Sequence, residues 1–323
     1  MKFPMTTLAL SLMLAAPATS LLASDDIVYK IIGGDTADIS DYPSLAPLLY
    51  ADGADRYSQY QRQYCAGNFI TERWVLTAAH CMFDSSYNQV SSDDISLLAN
   101  VTDLSVGGEE LSVANIYVHP DYSPGVVDSA NDLALIELEA DADVTPMSLF
   151  VGDLPAGTSV WLAGWGATEY DERTYEASGY PTELMDVSIP VVSNDDCNAA
   201  FESSGIQIAD SQVCAGLDEG GKDSCAGDSG GPMMVEVDGE LAQAGIVSFG
   251  AGCAVAGYPG VYTRVSAFTD WIQSYTSTGG LDGAAASYDS GSSSSSSSGG
   301  SGGSGAFAPW LLFLALLRRR FHR

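Results

Sequence analysis

The chain has 323 residues and carries 42 acidic against 12 basic side chains, a formal charge of −30, with 46% hydrophobic residues. This balance repels nucleic acid and anionic membrane surfaces and attracts cationic peptides at low salt, and it also gives the solvated acidic coat that keeps an exported protein soluble. The six cysteines form an even count and the three histidines are scattered, with no Cys-x-x-Cys pair, so a disulfide framework is expected rather than a metal site.

Residues 1–23 hold Lys2, an apolar run from Leu8 to Ala16 and then small residues, the layout of a secretory signal peptide with cleavage after Ala18 or Ala23. A membrane anchor is the weaker reading, because the run is well short of the ~20 residues a spanning helix needs. From Ile31 to Arg264 short β-rich runs, such as Trp74-Val75-Leu76, Ile116-Tyr117-Val118 and Gly245-Ile246-Val247, alternate with Gly, Pro, Asn and Asp clusters. That spacing predicts an all-β barrel architecture. A helix is expected near Ala267 to Tyr275, with Trp271 and Ile272 toward the core.

Three stretches carry chemistry. Leu76-Thr77-Ala78-Ala79-His80-Cys81 offers an imidazole, Asn131-Asp132-Leu133-Ala134-Leu135-Ile136 a carboxylate at the head of an apolar run, and Gly227-Asp228-Ser229-Gly230-Gly231-Pro232 a serine between glycines. A serine hydroxyl needs a base within hydrogen-bond reach, and the base needs a carboxylate to hold its tautomer. His322 lies among arginines, which leaves His80 and His119 as candidates for the base. Asp132 and the nearby Asp128 are the candidates for the acid, and the family resemblance given next favours Asp132.

These motifs, together with Ile31-Ile32-Gly33-Gly34, Gly164-Trp165-Gly166 and Ser248-Phe249-Gly250, resemble the trypsin and chymotrypsin family of serine endopeptidases over Ile31 to about Tyr275. The resemblance implies two packed six-stranded antiparallel β-barrels with a short C-terminal helix, His80 and Asp132 coming from the first barrel and Ser229 from the second. It implies an oxyanion hole from the N–H groups of Gly227 and Ser229, with Ser248 supporting Asp132. Asp223, six residues before Ser229, would form the base of a pocket for arginine or lysine, with Ser224 beside it, Gly250 and Gly260 as open walls and Phe249 lining the cleft.

Cleavage after Lys30 would free an amine on Ile31 to pair with Asp228, making residues 24–30 an activation propeptide before a domain at 31–276. Of the fifteen cysteine pairings open to sequence alone, the resemblance selects Cys65–Cys81, Cys197–Cys214 and Cys225–Cys253. It implies a monomer acting on protein or peptide substrates without cofactor or metal. Phe249, Ala226 and Ala66-Gly67 depart from the family's usual residues at positions expected on the cleft. Glu109 and Glu110 do not match the family's calcium-ligand spacing.

Residues 277–305 are a Gly- and Ser-rich linker, and 306–323 hold an apolar stretch followed by Arg318-Arg319-Arg320 and Arg323. This order resembles the GlyGly carboxy-terminal sorting signal of Gram-negative bacteria, which implies processing by a rhombosortase and a secreted or cell-surface enzyme. A permanent anchor and a glycolipid-anchor signal are the alternatives. The apolar stretch, ~18 Å at helical rise against a ~30 Å hydrocarbon core, is short for an anchor. Two other functions compete. A catalytically inactive protease-fold binding module would usually lack a triad member or the activation sequence, and an α/β-hydrolase esterase would order serine, acid and histidine differently.

Overall fold

The computed structural model describes residues 31–126, 129–152 and 154–276. The expected leader, propeptide, linker and tail, and the alternative acid Asp128, lie outside the described residues. The first barrel is built from β1 (Leu45–Tyr50), β2 (Gln63–Phe69), β3 (Trp74–Thr77), β4 (Ile95–Ala99), β5 (Glu109–Val118) and β6 (Ala134–Leu138). Six later strands form the second: β7 (Ser159–Gly164), β8 (Met185–Val192), β9 (Gln212–Ala215), β10 (Pro232–Val237), β11 (Glu240–Phe249) and β12 (Gly260–Arg264).

Each sheet closes on itself, β1-β2-β3-β6-β5-β4 and β7-β8-β9-β12-β11-β10, so the two barrels share one connectivity. Closure satisfies every strand edge without a neighbour. The expected all-β fold of two six-stranded antiparallel barrels is thus the fold observed.

Period-two burial drives these strands. Along β8, Met185, Val187, Ile189 and Val191 are buried while Asp186, Ser188, Pro190 and Val192 lie half-exposed between them. Leu45, Leu49 and Leu98 of the first barrel pack with Trp165, Leu184 and Met234 in an apolar cluster that joins the two barrels. A buried polar tie crosses the same junction, Asn68 Nδ2 of β2 donating to Gln243 Oε1 of β11 at 2.9 Å.

After an isolated helical turn, α1 (Gln59–Arg62), two eight-residue helices follow: α2 (Asn194–Phe201), capped by Ser193, and α3 (Thr269–Thr276). Although α3 follows the second barrel in the chain, Val265, Phe268 and Ile272 join the core of the first. Ile272 is fully buried as expected, whereas Trp271 is half-buried and lies 5.1 Å, centroid to centroid, from the ring of His119. No helix among the described residues is long and apolar enough to cross a membrane.

All three expected disulfides are present: Cys65–Cys81, Cys197–Cys214 and Cys225–Cys253. The first staples β2 to the residue after His80. The second ties α2 to β9, and the third ties the segment before Ser229 to the loop between β11 and β12.

Candidate active site

His80 follows β3 through two fully buried alanines, whose small side chains let the chain turn tightly against the barrel into the single 3₁₀ turn His80–Met82. Asp132 precedes β6, the neighbour of β3 in the sheet, so antiparallel pairing brings the two together. Its carboxylate accepts three hydrogen bonds, from the His80 backbone N–H at 2.9 Å, from His80 Nδ1 at 2.8 Å and from Ser248 Oγ at 2.6 Å. Its backbone carbonyl accepts a fourth, from Thr263 Oγ1 at 2.8 Å. Ser248 and Thr263 belong to the second barrel, so the acid is held from both sides.

Burial alone would raise the Asp132 carboxyl, but the charge of His80 and the three donors outweigh it and hold it below its ordinary value. Burial likewise pulls the His80 imidazole down, and the charge and hydrogen bond of Asp132 carry it above its ordinary value. A hydrogen bond at Nδ1 leaves Nε2 as the ring nitrogen free to exchange a proton.

Ser229 sits in a loop tied to the first barrel, its carbonyl accepting from the Ala66 N–H at 2.8 Å. Gly230 has φ +80, and a Cβ there would run into Thr77 Oγ1 and the Ala66 carbonyl, so only glycine lets the serine loop approach β2 and β3 this closely. Ser229 and Asp223 line one pocket of about 190 Å³, and His80, Asp132, Tyr87 and Tyr122 line the next. Ser248 and Phe249 line both, so the pockets adjoin along one cleft.

Asp223 is 4% exposed and accepts from the backbone N–H groups of Ser224 at 2.8 Å and Ala254 at 3.0 Å. Burial pushes its carboxyl up to about 6 even though those donors pull the other way. No basic side chain pairs with it among the described residues, so it presents an unneutralised acid at the pocket wall, where Gly250 and Gly260 leave room.

Asp228 is also buried, its carboxylate receiving the N–H groups of Gly166 at 2.8 Å and Cys225 at 3.0 Å. Burial raises it to about 7. Ile31 lies wholly buried in the core of the second barrel, and the carbonyl of Ile32 accepts from the Asp223 N–H at 3.2 Å. The start of the domain is therefore packed beside the pocket.

Two expectations need correction or completion. Ala66, expected on the cleft, is 0% exposed, and a Cβ on Gly67 would strike Val75, so both are interior positions of β2 and only Ala226 and Phe249 of the departures line the pocket. Glu110 is engaged by an internal cation: Arg62 NH1 and NH2 donate to its two oxygens at 2.9 and 2.7 Å, and Ser96 Oγ adds a bond of 2.6 Å. The guanidinium beside it holds the Glu110 carboxyl down at about 2. Glu109 next to it is exposed. A carboxylate saturated by guanidinium offers a calcium ion little, and nothing in the sequence paired residues 48 positions apart.

Glu110→Gln removes the countercharge of Arg62, which is 4% exposed and keeps its bond to the Tyr50 carbonyl, and is expected to lower stability by about 1 to 2 kcal/mol. Because the folded-state carboxyl is depressed from 4.5, this contribution is present above pH 4.5 and is lost as pH falls through about 2. Chelating divalent cations is expected to leave the wild-type melting temperature unchanged. A wild-type melt that climbs with calcium, or an unaltered melt for Glu110→Gln, contradicts this assignment.

A sequence profile described as Trypsin matches residues 31–272. The chain is 34% identical over 250 residues to Trypsin-1 of Astacus astacus, covering 75% of this chain and 98% of that protein. It is 37% identical over 249 residues to Trypsin of Xenopus laevis, covering 76% and 90%. It is 37% identical over 271 residues to Trypsin II-P29 of Gallus gallus, covering 82% and 96%. Matches of this length, running from the buried Ile31 through both closed barrels and the serine loop, assign the chain: it belongs to the trypsin family and is a serine endopeptidase.

Proposed function

We propose that this enzyme is exported as an inactive precursor and, once cut after Lys30, hydrolyses peptide bonds on the carboxyl side of arginine or lysine. The observation that carries the specificity is Asp223, a buried carboxylate with no basic side chain paired to it among the described residues, in a pocket walled by Gly250 and Gly260. An arginine or lysine side chain supplies the missing charge, and Ser224 beside it can bond a lysine ammonium.

Ser229 Oγ attacks the scissile carbonyl while His80 Nε2 takes its proton, and Asp132 stabilises the imidazolium that results. The N–H groups of Gly227 and Ser229 receive the oxygen as it becomes negative. His80 then returns the proton to the leaving amine, and water, deprotonated by the same imidazole, releases the acyl group from Ser229.

Activation follows from charge burial. In the uncut chain the nitrogen of Ile31 is an uncharged amide and Asp228 is a buried acid with no cation paired to it among the described residues. Cutting after Lys30 creates an ammonium that pairs with Asp228 and fixes the loop holding Gly227 and Ser229. Lys30 suits the specificity inferred from Asp223, and Asp25 and Asp26 are set back from the bond by three residues. The precursor is therefore its own substrate.

The leader and three disulfides support export, with the tail at 306–323 removed by a rhombosortase-type protease. Purified precursor incubated alone is expected to yield a new terminus Ile31-Ile32-Gly33 with a lag followed by acceleration, and Ser229→Ala precursor to stay uncut until wild-type enzyme is added. Maturation of Ser229→Ala alone at the wild-type rate would overturn self-activation.

A further inference from the structure

We propose that Gln63 is a positioning residue for the oxyanion site: from the first barrel, its side-chain amide holds the carbonyl of Gly227 and so fixes the peptide that links the two oxyanion donors, the N–H groups of Gly227 and Ser229. The proposal rests on the reading of Gly227 and Ser229 as oxyanion donors.

Gln63 Nε2 donates to the Gly227 carbonyl at 2.9 Å and to the Cys65 carbonyl at 3.1 Å. Two carbonyl oxygens at one end of the amide require that end to be the NH₂, so the orientation of the side chain is chemically determined. Its backbone is equally constrained, because Gln63 ends α1, with its N–H bonded to the Gln59 carbonyl, and opens β2. On β2 the pairing slips there: Leu48 faces Cys65 but Leu49 faces Gln63, so Tyr64 is an extra residue that resets which way Gln63 points.

Gly227 has φ +102, a conformation that residues with side chains rarely adopt, and a glycine offers no side chain of its own to resist rotation of its peptides. Its neighbours are held: the Ala226 carbonyl by the Ala167 N–H at 2.8 Å, the Asp228 carboxylate by Gly166 and Cys225, the Asp228 N–H by the Cys225 carbonyl at 2.9 Å, and the Ser229 carbonyl by the Ala66 N–H. Among the described residues, the Gly227 carbonyl receives its hydrogen bond from Gln63, 164 positions away in the other barrel. Removing that donor leaves the Gly227–Asp228 peptide held only by the Asp228 N–H on the Cys225 carbonyl, which loosens the angle between the two oxyanion N–H groups without touching the pocket around Asp223.

The test uses the mature enzyme with three ligands: a peptidyl-arginine anilide as substrate, a peptidyl-arginine aldehyde whose adduct places an oxygen in the oxyanion site, and benzamidine, which fills only the Asp223 pocket. Gln63→Leu is expected to lower kcat and aldehyde affinity about tenfold each, with KM and benzamidine affinity unchanged. Gln63→Glu, which sets a carboxylate against two carbonyls, is expected to lose more, and Gln63→His, which retains an N–H donor, to recover most of the loss.

Unchanged kcat and aldehyde affinity in Gln63→Leu overturn the proposal. So does a loss spread equally over all three ligands with a lowered melting temperature that histidine does not rescue, since that marks a purely structural role. If the aldehyde binds wild-type enzyme no better than its alcohol analogue, the oxyanion reading itself has failed, an outcome separate from any effect of Gln63.

Discussion

Ser229→Ala is expected to lower kcat on an arginyl peptide by about 10⁶-fold, leaving the ~10³ to 10⁴-fold advantage over water that binding and the oxyanion donors provide. The variant should still bind benzamidine as tightly as wild type, because the serine hydroxyl makes no contribution to holding Asp223. His80→Ala should fall to nearly the same floor, and the double variant should lose little more, since nucleophile and base act as one unit. A single-turnover assay on protein activated in trans measures both. Activity of Ser229→Ala within tenfold of wild type removes Ser229 as the nucleophile. Because the neutral imidazole is the base, the wild-type rate should climb with pH through the His80 pKa, which Asp132 carries above its ordinary 6.5 against the opposing effect of burial.

Asp223→Ser is expected to reduce kcat/KM on arginyl and lysyl substrates by about 10³-fold, because the substrate cation is then desolvated against no countercharge. The pH dependence separates this from general damage. The empty pocket's carboxyl is raised from 3.8 to about 6, so it is protonated below that pH, and a cation binds its ionised form. Benzamidine affinity should be full above pH 6 and fall about tenfold per unit below it, with proton release on binding near pH 6. In Asp223→Ser this dependence should vanish. A wild-type profile flat from pH 7 to pH 4.5 contradicts the buried-acid reading.

Much of this arrangement was legible because its chemistry is local in sequence. The glycines around Ser229, the alanines before His80 and the apolar run after Asp132 each show in a six-residue window how one side chain is presented, and the period-two runs disclose the strands. Contacts that depend on barrel closure were not legible. Gln63 meets Gly227, and Arg62 meets Glu110, only because strands close in a ring and a bulge redirects one residue, and neither effect leaves a mark in the residues themselves. Ala66 was misplaced on the cleft for the same reason: it is covered by the serine loop, its N–H on the Ser229 carbonyl and its side chain against Gly231, and is fully buried there. Trp271 packs against the core of the first barrel as its helical period predicts, half-buried with its ring beside His119.

Mass-spectrometric profiling of the bonds that the mature enzyme cuts in a diverse peptide library asks the most of the proposed chemistry. Cuts confined to the carboxyl side of arginine and lysine, abolished in Ser229→Ala and lost to basic residues in Asp223→Ser, are the expected result. A wild-type preference for phenylalanine or leucine before the cut, or cleavage that persists unchanged without Ser229, would contradict it.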